Sequence, residues 1–154
     1  MKRRKTIIPA ILIIAVPILT AGFAWRTAGR WQVIHTEART AHMAQVEHTV
    51  PDGILQVQEL LVRPAKQSGV TLHRAAYYPQ AETLVCFFEG EDPNRDIYPA
   101  ALPNVNPTIL PEKHGITVKI FENVPPEALS GGVTVELTDW QFESCRPVTF
   151  VFDR

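Results

Sequence analysis

The stretch Gly115–Glu122, GITVKIFE, decides the fold class of this chain. Ile116, Val118 and Ile120 alternate with other residues, which is the period-two pattern of a β-strand with a buried face. The glycine in front of them is typical of a turn that leads into a strand. We therefore expect a strand here, with these three apolar side chains facing inward.

The same pattern recurs towards the C-terminus. Val133–Asp139, VTVELTD, follows two glycines, and Val148–Asp153, VTFVFD, is expected to complete the domain. Both segments predict strands with one buried face. The side chains expected to face inward are Val133, Val135, Leu137, Val148, Phe150 and Phe152. Those expected to face outward are Thr134, Glu136 and Thr138.

Two further strands are predicted upstream. In Val70–Tyr78, residues Val70, Leu72 and Ala76 fit one alternating face, and Pro79 begins a turn. Thr83–Phe88, TLVCFF, is apolar on both faces, which suits a central strand. The chain should therefore be mainly β (α+β), with one small, mostly antiparallel sheet or sandwich of five to six strands.

The segment Ile54–Pro64, ILQVQELLVRP, is ambiguous between helix and strand. The positions that follow a helical spacing are Ile54, Leu55, Gln58, Leu61 and Val62. Leu55, Val57 and Leu61 also fit an alternating face, although Glu59 interrupts it. An aspartate before the segment and a proline at its end are typical helix boundaries. We therefore favour a short helix.

A long loop is expected between Gly90 and His114. It contains prolines at every fourth position, namely Pro99, Pro103, Pro107 and Pro111. A polyproline II helix repeats every three residues, so these prolines would not line one face of such a helix. One hypothesis is a stiff arm that binds a protein partner, because loops this long are often functional. The alternative is an extended crossover that spans one end of the sheet.

The N-terminus predicts a membrane anchor. A basic cluster at Lys2–Lys5 is followed by Ile7–Trp25, which contains no charged residue. Such a helix would be roughly 28 Å long, close to the thickness of the hydrocarbon core of a bilayer. The basic cluster should remain in the cytoplasm. The alternative is a cleaved signal peptide with its cleavage site at Gly22–Ala24.

The chain is expected to contain three parts. Residues 1–26 form the basic tip and signal-anchor, residues 27–51 a polar helical stalk, and residues 52–154 an exported β-rich domain. Four of the 15 basic residues precede the span, so the remainder has 11 basic and 16 acidic residues, a net charge of −5. Such a domain would repel nucleic-acid phosphates, and nucleic-acid binding is not expected.

The chain contains two cysteines, Cys86 and Cys145. In an oxidising compartment outside the cytoplasm, an even count predicts a disulfide. A bridge between them would tie the predicted central strand to the start of the last strand. Two buried thiols are the alternative. Their wide separation does not resemble the Cys-x-x-Cys pattern of a redox-active pair.

We find no catalytic, metal-binding or cofactor-binding motif. None of the three serines lies in a Gly-x-Ser-x-Gly motif, and no phosphate-binding glycine loop is present. Asp92–Asp96 begins like a calcium loop, but Ile97 replaces the glycine at the sixth position and Pro103 the glutamate at the twelfth. We therefore predict neither an enzyme nor a bound cofactor or metal.

These observations predict where the chain acts better than what it does. The expected protein is a single-pass, membrane-anchored subunit of a bacterial envelope complex, which binds a protein partner without catalysis. Its N-terminus would lie in the cytoplasm and its domain in the periplasm. The alternative is a cleaved, soluble periplasmic inhibitor or immunity-type protein, whose acidic charge would favour a basic partner.

Overall fold

The structure, a computed structural model, describes residues 7–37, 56–61, 63–90, 96–102, 105–136 and 147–152, with the side chains of 7–19, 36–37, 96 and 136 left undescribed. Within these ranges the chain forms a long α-helix and nine short strands. The expected fold class, mainly β and antiparallel, is confirmed, and the described residues contain one α-helix. The described strands outnumber the five to six that were predicted.

The helix α1 spans Ile7–Gln32 and continues as a π-helical turn over Val33–Glu37. The strands are β1 Gln58–Glu59, β2 Ala65–Gln67, β3 Val70–Tyr78, β4 Thr83–Glu89, β5 Asp96–Pro99, β6 Thr108–Lys113, β7 Ile116–Phe121, β8 Val133–Glu136 and β9 Val148–Phe150. Short 3₁₀ turns lie at Pro79–Ala81 and Pro126–Leu129. The first of them is the turn predicted at Pro79.

The strands form two antiparallel sheets. The larger sheet has the order β1-β3-β4-β7-β6, with β2 also paired to β3, and the smaller sheet has the order β5-β8-β9. All five strands predicted from alternating or apolar segments are present. β4 lies in the middle of the larger sheet, and Thr83–Phe88 are all buried, so the prediction of a central strand is confirmed.

The two sheets share one apolar core. Its members come from β3, β4 and β7 on one side and from β5, β8 and β9 on the other. Phe88 of the larger sheet meets Phe150 of the smaller one edge to face, with 6.2 Å between ring centroids. Five of the side chains predicted to face inward in the last two strands are confirmed in this core. They are Val133, Val135, Val148, Phe150 and Phe152. Leu137 lies outside the described residues.

The end of α1 covers the other face of the larger sheet. Val33 and Ile34 are 3% and 9% exposed and belong to a second apolar cluster on that face. The strand residues of the cluster are Ala76, Tyr78, Val85, Phe87, Ile116, Val118 and Ile120. The inward-facing set predicted for β7 therefore faces the helix. Because Thr117 and Lys119 are buried as well, this strand has no solvent face.

A β-bulge in β3 changes which side chains face the helix. Leu72 pairs with Phe88 whereas Arg74 pairs with Phe87, so His73 is an extra residue in the ladder. After the bulge the alternation is inverted. Ala76, predicted to share a face with Leu72, therefore lies on the opposite face, among the residues under the helix.

The predicted helix over Ile54–Pro64 is wrong for the part that the structure describes. Gln58 and Glu59 form β1, which pairs antiparallel with β3. Pairing with β3 buries Leu60 in the core between the sheets and packs Val57 against the cluster under the helix. Tertiary pairing thus overrides the helical spacing. Glu59 interrupts the apolar alternation because it binds Arg74.

The single long loop predicted over Gly90–His114 is also wrong. It contains β5, which belongs to the smaller sheet, and β6, which is the last strand of the larger one. The segment between them therefore crosses from one sheet to the other. The prolines concealed these strands, because proline is disfavoured within sheets except at edges and strand ends.

One outward prediction in β8 is also wrong. Thr134 is only 7% exposed, and its hydroxyl lies 3.2 Å from that of Thr149 on the neighbouring strand. Such cross-strand hydroxyl pairs stabilise a sheet. The side chains of Glu136 and Thr138 lie outside the described residues.

The predicted membrane span, Ile7 to Trp25, falls mostly on residues whose side chains lie outside the described set. In the part of the chain that the structure describes, no helix is long and apolar enough to cross a membrane. Residues 27–37 of the predicted stalk are helical, and their end packs against the sheet. The remainder of the stalk, residues 38–51, lies outside the described residues.

Candidate functional site: the junction between the helix and the larger sheet

Five charged or titratable side chains lie together where α1 meets the larger sheet. They come from the helix, from β1, from the bulge in β3 and from the end of β4. We call this group, Arg30, Glu59, His73, Arg74 and Glu89, the junction cluster. It adjoins the apolar cluster around Val33 and Ile34, so it closes the interface between helix and sheet.

Glu89 binds two partners in the junction cluster. Its carboxylate forms an ion pair with the Arg30 guanidinium and lies 2.8 Å from Nε2 of His73. The side chains of Arg30, His73 and Glu89 are 24%, 21% and 32% exposed, so water reaches the group only in part. Glu89 therefore links the helix to β3 through β4.

Burial lowers the pKa of His73 below its ordinary value of 6.5, and the nearby charge of Arg30 lowers it further. The contact with Glu89 would by itself favour the protonated imidazole. Glu89 is already paired with Arg30, however, so burial and the charge of Arg30 outweigh this contact and disfavour a positive charge on His73. At neutral pH we therefore assign a neutral His73 that donates the hydrogen on Nε2 to Glu89.

Arg74 joins three elements. Its Nε donates to Glu59 Oε2 at 2.9 Å, and Nη2 donates to the other oxygen of the same carboxylate. Its Nη1 donates to the backbone carbonyl of Ile34 at 2.8 Å, while the guanidinium lies 5.4 Å from the Phe87 ring centroid. The hydrogen bonds to Glu59 raise the pKa of Arg74, so the guanidinium stays charged. Arg74 thus fastens the π-helical turn to the sheet.

The turn between β6 and β7 contacts the preceding part of the helix. His114 and Gly115 have φ angles of 53° and 79°, as a two-residue hairpin turn requires. The His114 and Trp25 rings meet edge to face at 5.1 Å. A Cβ added to Gly29 would lie 2.6 Å from the His114 ring, so the absence of a side chain there permits the contact.

The contacts within the cluster hold the helix on the larger sheet. Its charged groups are engaged with one another: Arg74 with Glu59, and Glu89 with Arg30 and His73. Within the described ranges no three His, Cys, Asp or Glu side chains are placed to hold a metal ion. The arrangement can fix the orientation of α1 on the sheet by bidentate and shared hydrogen bonds.

The two predicted disulfide cysteines are not both described. Cys86 is fully buried on β4, among the residues of the core between the sheets. Cys145 lies outside the described residues, so the disulfide remains a prediction. Since Cys145 precedes β9, which belongs to the opposite sheet, a bond between the two would cross that core.

The three described prolines of the predicted partner-binding arm differ in their exposure. Pro99 is buried at the end of β5, where it pairs with Val133. Pro107 is half-buried, Pro111 is exposed on β6, and Pro103 lies outside the described residues. The partner-binding role of these residues remains a prediction.

Sequence reasoning missed the junction cluster, because its members are distant along the chain. A weak signal was present: His73 and Arg74 stand together inside an alternating strand, and Glu89 ends an apolar one. Only the bulge and the strand pairing bring them to one face. Comparison of the chain with protein-family models, with curated proteins and with solved structures found no match.

Proposed function

We propose that this chain is a non-catalytic, membrane-anchored binding or assembly subunit of a bacterial envelope complex, with its domain on the periplasmic side. The observation that carries the proposal is the packing of the end of the helix against the β domain. α1 continues without interruption from the apolar N-terminal segment to Gln32, and its end is packed on the larger sheet. The anchor and the domain would therefore move as one body.

The junction cluster supports this role. A freely tethered domain needs no fixed contact with its anchor, whereas a subunit that must present one surface at a set height does. Arg30, Arg74 and the buried pair Val33 and Ile34 supply such a contact. The domain would then be held close to the membrane surface in one orientation.

β6 offers a surface for a protein partner. It is the last strand of the larger sheet, and nothing among the described residues pairs with its outer edge. Ile109 on this strand is 43% exposed. A partner could add a strand along Thr108–Leu110, before Pro111 and the irregular register interrupt the ladder.

The proposal is tested by fractionation and intact-mass measurement of the chain expressed from its own sequence in a bacterium. We expect the full-length mass in the membrane fraction, together with crosslinks from Ile109 to another envelope protein. Cysteine alkylation of the unfolded chain without reductant should modify neither Cys86 nor Cys145. After reduction and unfolding, both should be modified.

A matched pair of variants sharpens the test. Ile14→Arg places a charge in the middle of the apolar stretch and should remove the chain from the membrane fraction. Thr6→Arg adds the same charge outside that stretch and should leave the distribution unchanged. A soluble wild-type chain that begins near Trp25 would overturn the anchored subunit and favour the diffusible inhibitor instead.

A further inference from the structure

The larger sheet has two distinguishable ends, and α1 approaches it from one of them. Glu89 pairs with Ile116 at one end of the sheet, and Leu84 pairs with Phe121 at the other. The helix residues that contact the Glu89–Ile116 end come earlier in the chain than those that contact the middle of the sheet. Arg26 and Gly29 lie beside the β6–β7 turn and Arg30 binds Glu89, whereas Ile34 lies further along and binds Arg74.

We propose that the β6–β7 turn, Lys113–Gly115, lies on the membrane surface and contacts phospholipid headgroups. This inference rests on the proposed membrane anchor, but adds to it the face that the domain turns towards the lipid. The juxtaposition that carries it is the contact of the turn with Trp25, Arg26 and Gly29, directly after the apolar stretch.

The height of the turn follows from helix geometry. The uncharged stretch ends at Trp25, and an α-helix rises about 1.5 Å per residue. Gly29, which contacts His114, is thus roughly 6 Å beyond the end of the stretch. Each headgroup layer is about 5–8 Å thick, so the turn falls within it.

The side chains around the turn suit that environment. Trp25 is 71% exposed although its ring meets that of His114, and indole rings favour the membrane interface. Arg26 and Lys113 are exposed cations beside the turn, and such groups bind headgroup phosphates. Glu112, an exposed acid on β6, limits the local excess of positive charge. Although the domain as a whole is acidic, the exposed side chains named around this turn carry two positive charges and one negative charge.

The test is photo-crosslinking in nanodiscs of phosphatidylethanolamine and phosphatidylglycerol, with the full chain. A benzoylphenylalanine residue replaces Lys113 in one variant and Glu127 in the other. Glu127 is the control because it is also exposed but lies near Tyr77, at the opposite end of the sheet. We expect a mass gain of one phospholipid at position 113 and none at 127.

Each outcome decides a separate point. A chain that stays in the nanodisc without a lipid adduct at 113, or with equal adducts at both positions, overturns the headgroup contact but leaves the anchor intact. An adduct at 113 to a second protein chain overturns it as well. A chain that does not co-purify with the nanodisc overturns the anchor and this inference together.

Discussion

The two faces of the larger sheet are closed by different means. The face towards the smaller sheet is covered mainly by apolar side chains, including Phe88 and Phe150, which are fully buried. The face under α1 combines a smaller apolar cluster with the partly exposed junction cluster. The first face holds the domain together, whereas the second attaches it to the helix in a defined direction.

The largest expected effect is on the face between the sheets. Phe150→Ala removes a fully buried ring that contacts Phe88, and should lower the free energy of unfolding by about 3–5 kcal/mol. Denaturant unfolding of the full chain in detergent measures it. Val151→Ala is the control, because Val151 is 67% exposed and should change stability by less than about 0.5 kcal/mol. Equal effects of the two substitutions would contradict the shared core.

A smaller loss is expected under the helix. Ile34→Ala should cost about 2–3 kcal/mol, at the low end for a buried isoleucine, because its cluster is smaller and Ile34 is 9% exposed. The same unfolding measurement applies, with the exposed Gln32→Ala as control. If Ile34→Ala were silent, the helix would not be part of the folded unit.

The polar part of the junction should contribute less again. Arg74→Gln removes the bidentate bond to Glu59 and leaves the Ile34 carbonyl without this donor, at a cost of about 1.5–2.5 kcal/mol. We also expect limited proteolysis to cleave the Arg74→Gln variant faster than the wild-type chain between α1 and β1. The control is Arg63→Gln, an exposed arginine, which should leave both measurements unchanged. An effect of Arg74→Gln no larger than that of the control would contradict the fastening role.

The smallest effect is a pH dependence from His73. Because its pKa is lowered in the folded chain, the unfolded chain binds the proton more readily as the pH falls below about 6.5. The contribution of His73 is therefore present above that pH and is lost as the pH decreases towards the folded pKa. Unfolding at a series of pH values measures it.

The matched variant is His73→Gln, whose amide can still donate to Glu89 but does not titrate. It should flatten the pH dependence between pH 5 and 7 without a large loss at pH 7. Lys66→Gln, at an exposed position of β2, should retain the wild-type slope. A His73→Gln variant with the wild-type slope would show that another group is responsible.

Local pattern sufficed for the strands that carry the core. The alternation in Ile116–Phe121 and Val148–Phe150 and the continuous apolar run of β4 each predicted the observed element. The buried positions of these strands are occupied by apolar residues, so the hydrophobic pattern of the sequence indicates them directly. β1, β2, β5 and β6 were not predicted, because segments of two to six residues that contain polar residues or proline show no clear period.

The sequence by itself determined the antiparallel β-rich class, the central position of Thr83–Phe88 and the turn at Pro79, since each depends on neighbouring residues. Only the tertiary structure decided the division into two sheets and the covering of one face by α1. It also decided the junction cluster. One extra residue at His73 turns both His73 and Arg74 towards the helix, and strand pairing brings Glu59 and Glu89 to meet them. Residues far apart in the chain are joined there by pairing geometry, which no local pattern records.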